Sequence, residues 1–415
     1  MRYTEALEKK TRLIESKGER MAKNKEMDPG LKYEKELGLE RIRGVYGLYD
    51  RWVKLFGKEK AIKLFEEREK YPDGSPELYE FKNSDPLISR SYTEGYDIDI
   101  IRKACNYVAE NKGFFGKTIL EVGCDAGYMT GFLAKTFPDS KIISIDRSES
   151  AMNIAKANLE KLDVHNVELK HCSLKDVREQ FDTVFCMRTI QENIDREIMP
   201  FYGEPFMYQC YAYADVCEDY TNQLKARLYD EGTLVVFERV GHDPLMCGWL
   251  LDLNRKEIGI NYDSYEEIKC EEAGNTNTFQ AFVCEIGNTG EESDVFELWM
   301  ESANINPNGK NTLKNWNALV YLDMNAGELI KGIRVYDEDG KKQIGRFGIF
   351  SDNENENTMY YLNAPGGDEV TLLSYNASLK DQLLNQLDQT EETNKKLGFI
   401  IKDIDPKEPD LEGDK

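Results

Sequence analysis

The sequence predicts an α/β protein with a parallel sheet that helices cover on both faces, between a helical segment and a smaller antiparallel module. From Lys117 onward, short apolar runs alternate with amphipathic segments at helical spacing. Residues 1–85 place apolar side chains three or four apart, whereas residues 289–390 contain short strand-like runs with turn signals between them. We therefore predict four parts. They are a helical N-terminal cap or lid over 1–85, the α/β core over 86–288, a C-terminal β-rich (α+β) accessory module over 289–390 and a polar tail over 391–415.

The N-terminal part is predicted to be helical because its apolar residues recur with the period of a helix. The stretches "ALEKKTRLIESKGERMA" and "IRGVYGLYDRWVKLFGKEKAIKLFEEREKY" both follow this pattern, and "YPDGSP" interrupts it. A further helix is predicted in "YDIDIIRKACNYVAENKG", with an Asp cap at its start and Gly113 at its end. The N-terminal helices can form a lid, and the segment "DPLISRSYTEGYDID" just before the core can cross a bound ligand. Arg90, Tyr92 and Tyr96 are candidates for this contact, and the alternative for these three residues is simple packing.

The central part is predicted to contain seven strands. Five of them, "TILEVG", "KIISID", "VELKHC", "FDTVFCM" and "GTLVVFERV", alternate with helices. Two more, "YEEIKCEEAG" and "TFQAFVCEIG", are close enough along the chain to pair as a hairpin at one edge of the sheet.

The C-terminal part is predicted to begin with a helix, "EESDVFELWMESAN", and to continue as a small antiparallel sheet. The predicted strands are "NALVYLDM", the hairpin "KGIRVYDEDGKKQIGRFGIF", "TMYYLNAP" and "EVTLLSY". A short amphipathic helix, "SLKDQLLNQLDQ", follows before the tail.

Composition narrows the classes of function. The 415 residues carry a net charge of −23, which disfavours nucleic acid as a partner. No apolar run approaches the roughly 20 residues that span a membrane, and the N-terminus lacks the apolar core of a signal peptide. We expect a cytoplasmic protein without a membrane partner. Nine cysteines without a Cys-x-x-Cys pair and only three histidines make a metal site unexpected.

The stretch "TILEVGCDAGYMTGF" suggests a ligand site at the end of the first core strand. Gly123 and Gly127 have no side chains, which permits a close approach of the backbone to a ligand. The spacing is not the Gly-x-Gly-x-x-Gly of dinucleotide-binding folds, and no Gly-Lys-Ser/Thr of a phosphate loop is present. In open α/β sheets, ligands bind beyond the carboxyl ends of the strands, where this loop is expected to lie.

Asp146 ends the second strand about twenty residues after the loop, where a carboxylate can accept hydrogen bonds from both hydroxyls of a ribose. The glycine loop, this acid and five alternating β/α units together resemble the class I S-adenosylmethionine-dependent methyltransferases, over about residues 117–287. The resemblance implies a Rossmann-like, seven-stranded core with a closing hairpin, and S-adenosyl-L-methionine as the cofactor. The family pattern is Glu/Asp-x-Gly-x-Gly-x-Gly, and Asp125 replaces its middle glycine.

The resemblance also implies a role for individual residues in cofactor binding. Asp146 would hold the ribose with Arg147 and Ser148 nearby, and Ser173 would accept a hydrogen bond from the adenine amino group. The alternatives are strand-end acids for Glu121 and Asp146 and a plain turn for Ser173. The residues that would border the methionine part of the cofactor are Glu121, Gly123, Cys124 and Gly127.

Further residues are expected near the reacting groups. Met187 and Arg188 would form the floor of the site, and Glu192 is the polar residue expected to face the substrate. Met152 would contact the adenine or belong to the core. His242, after the fifth strand, has either a catalytic role or a structural one, as a loop histidine whose hydrogen bonds are made within the protein. Glu238 and Arg239 have the same two alternatives, catalytic or structural.

The function that the resemblance implies is methyl transfer by in-line displacement to a small-molecule acceptor, such as a metabolite or natural product. "CMRTIQE" follows the fourth strand in place of the Asn/Asp-Pro-Pro-Tyr/Phe of amino-methylating relatives. The alternatives are a peptide or protein methyltransferase that uses the C-terminal module for recognition, and a catalytically silent cofactor-binding scaffold. A nicotinamide dehydrogenase is disfavoured by the glycine spacing. A homodimer through the C-terminal module is also considered.

Overall fold

A computed structural model describes residues 28–72, 74–194, 203–242, 244–272, 274–303, 305, 312–366 and 369–404. The helix predicted over 6–22 and the tail beyond residue 404 lie outside these ranges. The described residues form two compact units. The first takes its residues from 1–194, 219–240 and 253–298, and the second takes its residues from 195–218, 241–252 and 299–415.

The first unit contains a seven-stranded sheet in the order β3-β2-β1-β4-β5-β7-β6. The strands are β1 Thr118–Val122, β2 Lys141–Asp146, β3 Val167–His171, β4 Phe181–Met187, β5 Leu228–Glu238, β6 Ile258–Glu272 and β7 Asn275–Ile286. β1 to β5 run parallel, whereas β7 pairs antiparallel with β5 and with β6. The predicted Rossmann-like α/β fold, including the edge hairpin, is therefore confirmed.

The central strands are largely apolar because helices cover both faces of the sheet. In β1, Ile119 and Leu120 are fully buried on opposite faces. Leu120 lies opposite Ile143 of β2 and Val184 of β4. The strand order reverses between β1 and β4, which is where open α/β sheets form their ligand crevice.

Three helices before the sheet begin with a polar cap followed by proline. Asp28, Ser75 and Asp85 each accept a backbone N–H of the first turn, and Pro29, Pro76 and Pro86 occupy the first helical position. The helices of the chain up to the core are Pro29–Glu36, Gly44–Phe56, Lys58–Arg68, Pro76–Lys82, Pro86–Tyr92 and Ile98–Glu110, with a π-helical turn at Thr93–Asp97. The later helices are Tyr128–Thr136, Glu149–Lys161, Phe206–Lys225, Pro244–Arg255, Glu292–Ser302, Trp316–Asn325 and Lys380–Lys396.

The helix predicted to start with an Asp cap near residue 97 begins earlier. The chain is already helical from Pro86 and passes through the π turn into the helix Ile98–Glu110. Asp97 makes no capping hydrogen bond there. The cap is Asp85 instead, and burial of Ile88 and Tyr92 stabilises the added turns.

Arg90, Tyr92 and Tyr96 take part in packing. Tyr92 is buried in an aromatic cluster, and its ring centroid lies 5.7 Å from that of Trp52. The ring of Tyr96 stacks on the ring of Tyr92, with 5.5 Å between the centroids. Arg90 pairs with Glu94 at 2.9 Å. Of the two alternatives for these residues, ligand contact and simple packing, the structure shows packing.

The second unit contains a six-stranded antiparallel sheet. The helix Lys380–Lys396 buries Leu383 and Leu387 against Ile333, Ile349 and Tyr361. The predicted C-terminal antiparallel sheet is thus confirmed. The strands are β8 Thr312–Lys314, β9 Ala326–Tyr336, β10 Gln343–Asp352, β11 Thr358–Gly366, β12 Glu369–Asn376 and β13 Ile400–Asp403. Their order in the sheet is β13-β9-β10-β11-β12-β8.

Two expectations for this unit are wrong. "NALVYLDM" is not a strand but lies in the helix Trp316–Asn325, because helical spacing places Ala318, Leu319 and Leu322 on one buried face, and alanine and leucine are good helix formers. The unit also extends past residue 390. The helix continues to Lys396, Gly398 adopts φ +91°, and Ile400–Asp403 pairs with β9, so part of the expected tail belongs to the sheet.

No helix in the described ranges is both long enough and apolar enough to cross a membrane. Of the nine free cysteines, eight are buried and Cys172 is half-buried.

Candidate functional site

A cleft opens at the carboxyl ends of β1, β2 and β4. It is lined by the segments that follow β1 to β4 and by the helix Pro76–Lys82. The predicted site residues in its lining are Glu121, Gly123, Cys124, Asp146, Arg147, Ser173, Met187, Arg188 and Glu192. Residues that were predicted as separate motifs are thus brought together in one place.

The glycine loop after β1 is held by β2 and has an unusual backbone. The N–H groups of Gly123 and Cys124 both donate to the carbonyl of Ile145, at 2.9 and 3.0 Å. Gly123 has φ +76°, and a Cβ there would lie 2.4 Å from Cγ2 of Thr189. The loop therefore requires glycine at residue 123, both for its backbone angle and for the space beside Thr189.

Gly127 serves packing between helices. It precedes the helix Tyr128–Thr136 with φ +76°, and a Cβ there would lie 2.9 Å from the Cβ of Ala155. The missing side chain thus lets the helix Glu149–Lys161 approach closely. Gly127 is not among the described residues that line the cleft, so its predicted position beside the cofactor has no contact to support it.

The carboxylate of Asp146 is fixed at the cleft by two backbone groups. Its Oδ2 accepts the N–H of Asp125 at 2.8 Å, and its Oδ1 accepts the N–H of Ser148 at 2.9 Å. Burial raises the pKa of Asp146, although these N–H groups oppose the shift. Each oxygen can accept more than one hydrogen bond. The geometry therefore fits a ligand with two neighbouring hydroxyl groups.

Glu121 lies beneath the loop at the end of β1. Its Oε2 accepts hydrogen bonds from Thr130 at 2.6 Å and Ser144 at 2.7 Å. Burial raises the pKa of Glu121 to about 7, with a smaller contribution from Asp146, while the two hydroxyl donors oppose the shift. This carboxyl group thus ties β1 to β2 and to the helix Tyr128–Thr136.

Ser173 caps a short turn after β3. Its hydroxyl donates to Asp176 at 2.5 Å, and its N–H donates to the same oxygen at 3.1 Å. Of the two alternatives for Ser173, the structure shows the residue in a turn. Its hydroxyl oxygen can still accept a further hydrogen bond. Met152 is buried, and the Cys124 thiol donates to its sulfur at 3.6 Å, which places Met152 in the core.

Glu192 faces the cleft after β4 with a tyrosine beside it. The hydroxyl of Tyr79 donates to its Oε1, and a guanidinium nitrogen of Arg147 donates to its backbone oxygen at 3.4 Å. Burial raises the pKa of the Glu192 carboxyl. This pair can orient a polar group in the cleft or exchange a proton with it.

Glu238 has a structural position. It is buried, and its Oε1 accepts the N–H of Ile190 at 2.9 Å, which holds the segment after β4. Burial raises the pKa of Glu238 to about 7. Arg239 lies 3.6 Å from Glu272. The backbone of His242 ends a short 3₁₀ helix, but its side chain lies outside the described part of the chain, so its catalytic role stays a prediction.

The sequence reasoning missed a group of charges at the cleft. Lys82 contacts Asp125 at 2.7 Å and Asp97 at 3.0 Å, and Arg188 contacts Asp97 at 2.7 Å. Asn83 donates to Asp125 at 2.8 Å. The only sequence signal for this group is the aspartate in place of the middle glycine of the loop. In the described ranges, no cluster of three or more His, Cys, Asp or Glu side chains is arranged to hold a metal ion.

Comparison with known proteins agrees with this geometry. Residues 90–238 match the family described as "Methyltransferase domain". The chain is 42% identical to a protein-L-isoaspartate O-methyltransferase of Pseudoalteromonas atlantica over 55 residues, which are 13% of this chain and 25% of that protein. It is 29% identical to a ubiquinone biosynthesis O-methyltransferase of Acinetobacter baylyi over 91 residues, 21% and 37% of the two chains. The matches thus span about a quarter to a third of these relatives.

Two solved structures are also similar to this chain. The O-methyltransferase TomG of Streptomyces achromogenes, in complex with the cofactor, is 16% identical with a TM-score of 0.31, over 45% of this chain and 80% of that one. A methyltransferase of Aquifex aeolicus that depends on S-adenosylmethionine is 18% identical with a TM-score of 0.33, over 49% and 99%.

The chain therefore contains a methyltransferase domain of the class I, S-adenosylmethionine-dependent family. The predicted family is confirmed, and with it S-adenosylmethionine as the cofactor of this domain. The cleft residues fit that group, because the anchored carboxylate of Asp146, which has spare acceptor capacity, lies at the same cleft as Gly123, whose backbone no side chain covers. The contacts of individual residues with the cofactor remain predictions.

Proposed function

We propose that the protein transfers a methyl group from S-adenosylmethionine to a small-molecule acceptor by in-line displacement. The observation that carries the proposal is the Asp146 carboxylate, held by the amides of Asp125 and Ser148 at the mouth of the glycine loop. The carboxylate oxygens of Asp146 offer hydrogen-bond acceptors at the place where methyltransferases of this family bind the adenosine of the cofactor.

The chemistry requires positioning more than acid–base catalysis. The cofactor supplies a methyl group that its positively charged sulfur already activates. Asp146 would hold the two ribose hydroxyls, and the helix Pro76–Lys82 would help to exclude water from the cleft. Glu192 and Tyr79 would orient the acceptor, and Glu192 could take its proton if the acceptor atom is protonated at neutral pH.

Two acceptor classes compete. A small molecule is favoured by the polar pair Tyr79 and Glu192 inside the cleft, and one relative is named for ubiquinone biosynthesis. A peptide or protein acceptor, recognised by the unit with the six-stranded sheet, is the second proposal, and another relative acts on protein L-isoaspartate according to its name. The net charge of −23 argues against nucleic acid in either case.

Incubation with methyl-labelled S-adenosylmethionine tests these proposals. The full chain is offered a metabolite fraction and a peptide fraction in separate reactions, with Glu192→Gln as the comparison. Label in metabolites supports the leading proposal, and label in peptides alone would replace it with the second. Cofactor binding without transfer to either fraction would favour a catalytically silent scaffold.

A homodimer through the six-stranded sheet and a cytoplasmic location remain proposals. Light scattering of the full chain tests the first: a mass of about twice 47.9 kDa supports it.

A further inference from the structure

The helix Pro76–Lys82 and the residue after it reach the segments that follow three core strands. The partners lie after β1, β2 and β4, and two of them, Asp125 and Glu192, line the cleft. The pairs are Lys82–Asp125 (2.7 Å), Asn83–Asp125 (2.8 Å), Glu80–Ser150 (2.7 Å) and Tyr79–Glu192. This segment, residues 76–83, is called the cap segment below.

Asp125 is the residue of the glycine loop that receives the cap segment. Its Oδ2 accepts Lys82 Nζ, its Oδ1 accepts the amide of Asn83, and its own N–H donates to Asp146. One residue thus contacts both the cap segment and the acid expected to bind the ribose.

The backbone of Asp125 is strained for a residue with a side chain. It has φ +46° at the position where the family pattern has glycine. Such a conformation is less favourable for a residue with a side chain than for glycine, although aspartate and asparagine tolerate it better than most. Asp125 therefore replaces a residue that fits the backbone better, and what it adds is the carboxylate.

Further unusual backbone surrounds the same charges. Lys82 also pairs with Asp97, which ends the π-helical turn Thr93–Asp97, and π turns often occur at functional sites. Asp97 in turn pairs with Arg188, which has φ +56°. The side chains of Lys82 and Asp97 are 12% and 14% exposed, so dissolved salt screens the attraction between their charges only weakly.

Both charges of this pair persist at neutral pH. Burial opposes the charge on Lys82, but Asp125 and Asp97 outweigh it and raise its pKa. Burial likewise opposes ionisation of Asp97, and Lys82 and Arg188 outweigh it and lower its pKa.

We propose that Asp125 is a positioning residue that couples closure of the cap segment to the conformation of the cofactor site. By binding Lys82 and Asn83, it keeps the cap segment over the cleft, and by its N–H group it orients Asp146. The ligand of the cleft follows from the proposed function, whereas the coupling is a property of the free protein. Opening of these contacts would therefore speed the release of a ligand from the cleft.

Hydrogen exchange of the full chain without ligand tests the coupling. Asp125→Asn keeps a residue that tolerates positive φ and removes the charge, while Asp125→Gly also removes the strain. Lys82→Met removes the partner and leaves the loop sequence intact. In all three, the amides of residues 76–83 should exchange about tenfold faster or more, the effect of losing one charge-assisted hydrogen bond.

Lys135→Met is the matched control, because Lys135 pairs with Glu36 and thus joins an N-terminal helix to the core without lining the cleft. It should leave exchange in residues 76–83 unchanged. Asp125→Asn combined with Lys82→Met should exchange more slowly than the product of the two single effects, because the Lys82–Asp125 contact is lost only once, while Lys82→Met also removes the pair with Asp97. Unchanged exchange in every Asp125 and Lys82 variant, with a folded core, would overturn the proposal.

The dissociation rate of S-adenosylhomocysteine, measured by rapid mixing, tests the consequence for the ligand. It should rise about tenfold in Asp125→Asn and Lys82→Met and stay unchanged in Lys135→Met. If the wild-type chain binds no adenosyl ligand, the proposed function fails while the exchange result still decides the coupling. If it binds the ligand and all variants release it at the wild-type rate, the gating role is refuted.

Discussion

Substitution of Gly123 by alanine should destabilise the protein for two reasons that the structure separates. The residue has φ +76°, and a left-handed backbone costs an L-residue roughly 1–2 kcal/mol. The new Cβ would also lie 2.4 Å from Cγ2 of Thr189, and overpacking of this kind costs roughly 1–3 kcal/mol. We expect Gly123→Ala to lower the free energy of unfolding by about 2–5 kcal/mol.

Urea unfolding followed by circular dichroism measures this loss of stability. The substitution Thr189→Ser separates the contribution of the clash from that of the backbone conformation. Serine keeps the hydroxyl and removes Cγ2, so Gly123→Ala with Thr189→Ser should regain about 1–3 kcal/mol relative to Gly123→Ala alone. Thr189→Ser alone completes the cycle. Gly113→Ala is the control: a Cβ there meets no atom within 4 Å, and the change should stay within about 0.5 kcal/mol. Wild-type stability in Gly123→Ala would refute the loop geometry, and failure of Thr189→Ser to restore stability would refute the clash.

Three further predictions concern ionisation, catalysis and the second unit. The pKa of Glu121 is raised from 4.5 to about 7 in the folded protein. Between these two pH values, Glu121 is therefore protonated more fully in the native state than in the unfolded chain. Its contribution makes the free energy of unfolding fall as the pH rises through that window. Glu121→Gln should therefore raise the free energy of unfolding at pH 8 by up to about 3 kcal/mol, at ~1.4 kcal/mol per pKa unit, whereas the exposed Glu160→Gln should not; equal pH profiles would contradict the assignment. Glu192→Gln should slow methyl transfer about 100-fold with little change in cofactor affinity, and an unchanged rate would remove Glu192 from the mechanism. Deletion of residues 299–415 should give an insoluble or loosened protein, because buried Glu204 loses its partners Arg334 and Arg346; a soluble, cooperatively unfolding product would contradict this.

The core was predictable because its signals are local. Apolar runs at regular intervals mark strands that are buried on both faces, as in β1 and β4. The position of Asp146 follows from its place at the end of a strand, since parallel strands bring their carboxyl ends to one edge.

The second unit shows why a short apolar run does not identify its own secondary structure. In "NALVYLDM" only Val320 and Tyr321 favour strands, and the segment forms a helix that buries Ala318, Leu319, Val320 and Leu322. Which face is covered depends on tertiary packing, and this cannot be read from a short apolar run.

The charged contacts of the cap segment depend on residues far apart in the chain. Lys82 and Asp125 are 43 residues apart, and Asp97 and Arg188 are 91 apart. No periodicity connects such pairs. Tyr79 was missed for the same reason, since its contact with Glu192 spans 113 residues.

Isothermal titration of the full chain with S-adenosylhomocysteine tests the central claim most directly, with Asp146→Asn as the comparison. The predicted result is binding at micromolar concentrations in the wild-type chain and an affinity about tenfold or more lower in Asp146→Asn, since hydrogen bonds to a charged carboxylate contribute roughly 1.5–3 kcal/mol. No binding at millimolar ligand, or equal affinity in both proteins, would contradict the assignment of this cleft and of Asp146 to the cofactor.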